Sequence, residues 1–155
     1  VHGDLARAQC KLIVMHSVQR ASRATRLQTD AAAVVEAMSR FFEERLAALM
    51  RAGVARERLV LDPGMGFFLG ANLAPSLRAL AEIANLKKRF GLPIHVSVSR
   101  KSFLGTLTGR AHTQRGAASL AAELYAASRG VDFIRTHEVR PLADALKVLV
   151  ALANQ

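Results

Sequence analysis

Four stretches of this 155-residue chain end in side chains able to hold or move charge. Met15 and His16 close "KLIVMH", and Asp62 sits in "LDPGMG". Ser99, Arg100, Lys101 and Ser102 run together in "VSRKS", and Arg135 and His137 close "FIRTHE". Gathered at one mouth, they offer a carboxylate, several cations and a small hydroxyl. The cations suit a phosphorylated or otherwise anionic leaving group, because Arg binds phosphate through two parallel N–H bonds and Lys as a point charge. The carboxylate suits a ring that presents adjacent N–H donors. Ser102 opens a helix-forming region, where free amides and the positive end of the dipole favour an anion. Taken singly, each residue also has a plainer explanation. Asp62 before Pro63 and Gly64 is then a turn former, Arg100 or Lys101 a solvated cation, His137 a structural histidine and Met15 core filler. His16, His95 and His112 show no metal-ligand spacing with one another or with Cys10. There is no Ser-His-Asp order, no G-x-S-x-G, and no glycine spacing of a P-loop or dinucleotide fingerprint.

The elements that must position these residues follow from periodicity. Four β-rich runs, 11–16, 58–64, 94–99 and 132–138, alternate with helical patterns. Val35, Met38, Phe42, Leu46 and Leu49 are spaced 3, 4, 4 and 3, one apolar stripe. Leu73, Leu77, Leu80 and Ala84 predict a second stripe, and Ala117, Leu120 or Ala121, and Leu124 a third. Pro141 suits the first turn of a last helix carrying Leu142, Leu146, Leu149 and Ala153. Gly53, Gly91 and Gly130 stand where left-handed caps would end helices before the next strand. Strand–helix alternation without a linker or repeat implies one unit of four βα segments with parallel strands and right-handed crossovers. In such folds ligands bind at the carboxyl ends of strands, which is where the chemistry-bearing residues fall.

The net charge of +10 comes from cations scattered along amphipathic segments rather than in a block. With one Tyr and no Trp for base stacking, the chain is not expected to bind nucleic acid. No run of 18 apolar residues exists, so no membrane span is expected. The N-terminal stretch has no apolar signal core, and the single cysteine, Cys10, has no internal partner for a disulfide. Both point to a cytoplasmic protein.

"LDPGMGF" (61–67), "SRKSFLG" (99–105) and "IRTHE" (134–138), in this order and spacing, resemble the C-terminal half of the dihydropteroate synthase family. "VMHSVQ" (14–19) resembles the preceding family segment, so the likeness spans essentially the whole chain. It implies an α/β fold in which residues 1–155 supply the last four βα units of a TIM (β/α)8 barrel, without the N-terminal half. It also implies the condensation of p-aminobenzoate with 6-hydroxymethyl-7,8-dihydropterin pyrophosphate, releasing pyrophosphate and forming dihydropteroate for folate synthesis.

Carried over by motif, Asp62 would accept hydrogen bonds from the pterin and Lys101 would meet its carbonyl and a ring nitrogen. Arg135 would lie over the ring face, with Met15 also lining the pterin site. Arg135, His137 and Ser99 would hold the pyrophosphate. Ser102, Phe67, Pro63 and Arg100 would surround p-aminobenzoate. Lys101, Arg135 and His137 are the expected catalytic residues. The family also implies Mg²⁺, with no ligand expected in this segment, and a homodimer when complete. The family's "GFGFGK" is "GMGFFLG" here, and the sequence looks most like the mobile, sulfonamide-insensitive synthases. Early loops of the family are absent, so this segment alone is expected to be inactive. The alternatives are a methyltransferase-type pterin-binding domain and a non-catalytic half-barrel binding module.

Overall fold

The structure, a computed structural model, describes residues 2–19 and 28–155. It is α/β with parallel strands. Helix α1 (His2–Arg7) leads into β1 (Leu12–Met15), and α2 (Ala31–Arg51) crosses to β2 (Leu59–Asp62). Helices α3 (Ala74–Ala81) and α4 (Ile83–Phe90) precede β3 (His95–Val96). Helices α5 (Ser102–Thr108) and α6 (Gly116–Ser128) precede β4 (Phe133–Ile134), and α7 (Val139–Ala153) follows. Strand β1 pairs with β2 in the register Leu12–Leu59 to Met15–Asp62, and β3 pairs with β4 through His95–Phe133 and Val96–Ile134. A parallel bridge between Leu61 and Ile94 joins the two pairs, with the Leu61 N–H donating to the Pro93 carbonyl at 2.9 Å.

This register sorts side chains by face, because successive residues of a strand point to opposite sides. Leu59, Leu61, Ile94 and Val96 share the face turned to the helices and are fully buried. Val34, Met38, Phe42, Leu46 and Leu49 of α2 are buried in the same core. Asp30 starts α2 by accepting the Ala32 N–H at 2.9 Å, as an N-cap aspartate should. The α2 stripe is therefore the expected one, except that Val34 rather than Val35 leads it.

Other stripes differ from expectation. The second helix breaks at Glu82 into α3 and α4. Leu77 and Ala84 are exposed, while Ser76, Ala79, Ile83 and Leu86 face inward. Small Ser76 and Ala79 let α3 approach closely, and the Ser76 hydroxyl accepts the Gly66 N–H at 2.9 Å. In α6 the buried positions are Ser119, Glu123 and Ala126, not Ala117 and Ala121, because this face serves a polar network described below. On α7 only Leu142 is buried, and Leu149 and Ala153 stay exposed. Gly53, Gly91 and Gly130 all take positive φ, at 89°, 58° and 84°.

Candidate active site

The second face of the sheet carries the chemistry. Register and alternation place Met15, Asp62 and His95 side by side across β1, β2 and β3. Ser97 lies one step further along the chain from His95, and Arg135 follows β4. Arg135 Nε donates to Ser97 Oγ at 3.2 Å. Ile13, Met15 and Phe133 on this face are 55, 40 and 44 % exposed, so the row forms the floor of an open surface.

Asp62 is 6 % exposed and both its carboxylate oxygens are engaged. Oδ1 accepts the Gly64 N–H at 2.8 Å, an Asx turn that sets the following loop, and Oδ2 accepts from His95 Nδ1 at 2.9 Å. The Asp62 carbonyl accepts the His16 N–H at 2.8 Å, continuing the β1–β2 ladder. His16 is buried edge-on to Phe41, and its Nδ1–H donates to the Pro63 carbonyl at 3.3 Å. Burial holds its pKa below the usual histidine value, and the Pro63 bond opposes this in part. Gly66 lies against Ser102: a Cβ built there would stand 3.2 Å from Ser102 Oγ and 3.4 Å from Lys101 Cδ. The loops after β2 and β3 thus meet at this point. Pro63 is buried and Phe67 exposed.

The 99–102 loop is held from behind by α6. Arg100 has φ 57°, a left-handed backbone that costs a non-glycine residue about 1–2 kcal/mol. Its N–H donates to Ser119 Oγ at 2.9 Å, and Arg115 Nη1 donates to the Arg100 and Lys101 carbonyls at 3.0 and 3.2 Å. The Arg100 guanidinium turns to Glu138, with Nη2 at 2.9 Å from Oε1. The Ser99 hydroxyl accepts the His137 N–H at 3.2 Å, and Thr136 Oγ1 accepts the Glu138 N–H at 3.1 Å.

Behind both hydroxyls lies Glu123, 2 % exposed, whose Oε1 is buried without a hydrogen-bond partner among the described residues. One buried carboxyl group thus lies between the loop after β3 and the loop after β4. Burial raises its pKa, the Thr136 and Ser99 hydroxyls partly oppose this, and the Glu138 charge adds to it. A carboxyl raised above its unfolded value contributes stability that is full below the ordinary glutamate range and is lost as pH rises through the folded value. Glu123→Gln is therefore expected to gain stability relative to the parent as pH rises from acid to neutral. Thermal unfolding of both proteins across that range checks this, and a constant difference would contradict it.

Lys101 lies at the N-terminus of α5, half-buried, with Nζ 5.0 Å from the centroid of the Phe68 ring. Burial lowers its pKa, the Arg135 charge lowers it further, and the Asp62 charge raises it. Lys101 thus lies within electrostatic reach of both the carboxylate and the second cation. Arg135 and His137 are exposed at the mouth, where the His137 ring stands edge-on to His112 at 6.3 Å.

The structure so gathers Met15, Asp62, Lys101, Ser102 and Arg135 about one surface, with Phe67, Pro63, Ser99 and His137 on its loops. Arg100 belongs to the Glu138 pair beneath. Sequence reasoning passed over His95, Ser97, Glu123, Ser119 and Arg115. The alternation of His95, Ser97 and Ser99 with Ile94, Val96 and Val98 was the available signal for the first two. Among the described residues no group of three or more His, Cys, Asp or Glu side chains converges as a metal site, and no helix is long and apolar enough to cross a membrane.

A site of this kind can bind a flat, donor-rich ring against a carboxylate and hold an anionic group under Lys and Arg. Comparison with known proteins points the same way. The chain is 57 % identical over 149 residues to dihydropteroate synthase type-2 of Escherichia coli, covering 96 % of this chain and 55 % of that protein. It is 49 % identical over 152 residues to the type-3 synthase of Escherichia coli, covering 98 % of this chain and 58 % of that protein. The chain thus spans a little over half the length of the curated relatives it matches. The crystal structure of dihydropteroate synthase from Stenotrophomonas maltophilia superposes with a TM-score of 0.89 at 33 % identity, covering 98 % of this chain and 56 % of that one. The sequence pattern of the pterin binding enzymes matches residues 1–137, and the chain belongs to that family.

Proposed function

We propose that this chain forms the C-terminal half of a (β/α)8 dihydropteroate synthase. The observation that carries the proposal is the shared face on which Asp62 and Arg135 stand at the carboxyl ends of β2 and β4, with the Lys101 side chain near both. The open face fits a half-barrel that needs further strands. A groove of about 720 Å³ beside β1, lined by Ile13, Met15, Phe41 and Arg45 among others, lies where a preceding βα unit would pack. The outer edge of β4 and most of α7 are likewise uncovered.

In the complete enzyme Asp62 would accept two N–H bonds from the dihydropterin, and Lys101 would donate to its carbonyl and a ring nitrogen. Arg135, steadied by Ser97, would cover the ring face. Arg135, His137 and Ser99 would hold the pyrophosphate. Departure of pyrophosphate leaves a cationic pterin methylene, which the aniline nitrogen of p-aminobenzoate attacks before losing its proton. Ser102 beside Gly66, with Phe67 and Pro63, would receive the p-aminobenzoate, and the Arg100–Glu138 pair would support that loop from below. A magnesium ion, which the family implies, would take its protein ligand from the N-terminal half of the complete enzyme. We place the complete enzyme in the cytoplasm as a homodimer. Its test is pyrophosphate release that depends on p-aminobenzoate. Release at the same rate without p-aminobenzoate would point to another pterin enzyme.

Sulfonamide insensitivity is part of the same proposal, and we assign it to Phe68. Leu69 is fully buried in the core and cannot meet a ligand, whereas the half-buried Phe68 ring stacks under Lys101 at the mouth. A sulfonamide carries a substituent where p-aminobenzoate ends in a compact carboxylate, and Phe68 would fill the space that this substituent needs. Phe68→Gly is expected to make the enzyme at least tenfold more sensitive to sulfamethoxazole while changing the p-aminobenzoate KM less. It also removes a cation–π contact of about 0.5–1 kcal/mol from Lys101. Inhibition curves of parent and variant decide it, since coincident curves would exclude a steric role for Phe68.

A further inference from the structure

We propose that His95 is the positioning residue of the pterin site, fixing the plane of the Asp62 carboxylate for a ring with adjacent N–H donors; this rests on the pterin reading above. An ionised carboxylate has about four lone-pair sites, two on each oxygen. Gly64 N–H takes one on Oδ1 at 2.8 Å and His95 Nδ1–H takes one on Oδ2 at 2.9 Å. One site therefore remains on each oxygen, the pattern that a neighbouring ring N–H and amino group require. A carboxylate held at only one oxygen would rotate about its last bond, and part of the binding energy would go into stopping it.

Both partners are well placed for this role. Their side chains are 12 and 9 % exposed, so water competes weakly for the bond. His95 lies on β3, anchored by the β3–β4 pairing and the Leu61–Ile94 bridge, whereas Gly64 lies in a loop. Neither Lys101 nor Arg135 makes a hydrogen bond to Asp62 that could replace that of His95, and the Arg135 Nε donates to Ser97 instead.

The test uses calorimetric titration of the complete enzyme with 6-hydroxymethylpterin, beside the KM for p-aminobenzoate. His95→Leu removes the donor and is expected to weaken pterin binding about tenfold, the worth of one charge-assisted hydrogen bond, while moving the p-aminobenzoate KM less than twofold. His95→Asn keeps an N–H donor near the place of Nδ1 and is expected to bind within threefold of the parent. His95→Gln carries its donor one bond further out and is expected to behave like His95→Leu. The Asn and Gln variants decide the matter even if His95→Leu does not fold. Equal pterin affinity in all variants would overturn the role of His95 and leave the pterin site intact. Equal weakening of pterin and p-aminobenzoate by all three would reduce His95 to packing. A parent enzyme that binds no pterin would overturn the functional reading itself, and this inference with it.

Discussion

Asp62→Ala in the complete enzyme is expected to weaken pterin binding by about 3 kcal/mol or more, on the order of 100-fold in Kd. Two charge-assisted hydrogen bonds from the ligand are lost together, each worth about 1.5–3 kcal/mol when one partner is ionised. The site left behind is worse than empty, since Gly64 N–H and His95 lose their acceptor in a buried place. Lys101→Ala is expected to cost a comparable amount, because a half-buried cation is removed from the ligand's carbonyl. Calorimetry with 6-hydroxymethylpterin measures both. Affinity within threefold of the parent in either variant would show that residue to be loop structure and not part of the binding site.

The second large effect falls on the loop that carries Asp62. Gly64 has φ 73°, and a Cβ built on it would run into the His16 carbonyl oxygen and stand 3.3 Å from Phe68 Cβ. A backbone carbonyl at the end of β1 cannot swing aside as a flexible side chain can, so Gly64→Ala must displace the β1–β2 junction. Strain and clash together are expected to cost about 3 kcal/mol, lowering Tm by several degrees. Gly109→Ala is the matched control. Gly109 has φ 69°, but a Cβ there would meet nothing within 4 Å, so it measures the left-handed backbone alone. A melting temperature for Gly64→Ala no lower than for Gly109→Ala would mean that the loop absorbs the methyl group without moving His16.

How much of this was legible in the sequence depended on whether the signal was local. The α2 stripe was readable because five apolar residues at helical spacing face one core, and the glycines ending helices were readable because left-handed caps are set by neighbouring backbone. The clustering of Asp62, Lys101 and Arg135 was readable from their places after strand-like runs, since parallel folds bring strand ends together. Tertiary effects hid the rest. Glu123 is buried although the apolar stripe expected for its helix runs through Ala117, Leu120 or Ala121, and Leu124, because the buried face is set by hydroxyls of two distant loops. The break at Glu82 carries no proline or glycine to announce it. His95 was visible as a polar residue in an apolar run, but its pairing with Asp62 depends on a register between β2 and β3 that no local pattern encodes.

The central claim is that these residues complete a dihydropteroate synthase, and a chimera tests it most directly. Residues 1–155 would replace the aligned segment of the type-2 synthase of Escherichia coli, to which this chain is 57 % identical over 149 residues. The measurement is dihydropteroate formed from 6-hydroxymethyl-7,8-dihydropterin pyrophosphate and p-aminobenzoate. Turnover within about tenfold of the type-2 parent is expected, abolished by Asp62→Ala. A folded chimera that forms no dihydropteroate, or whose turnover survives Asp62→Ala, would contradict it.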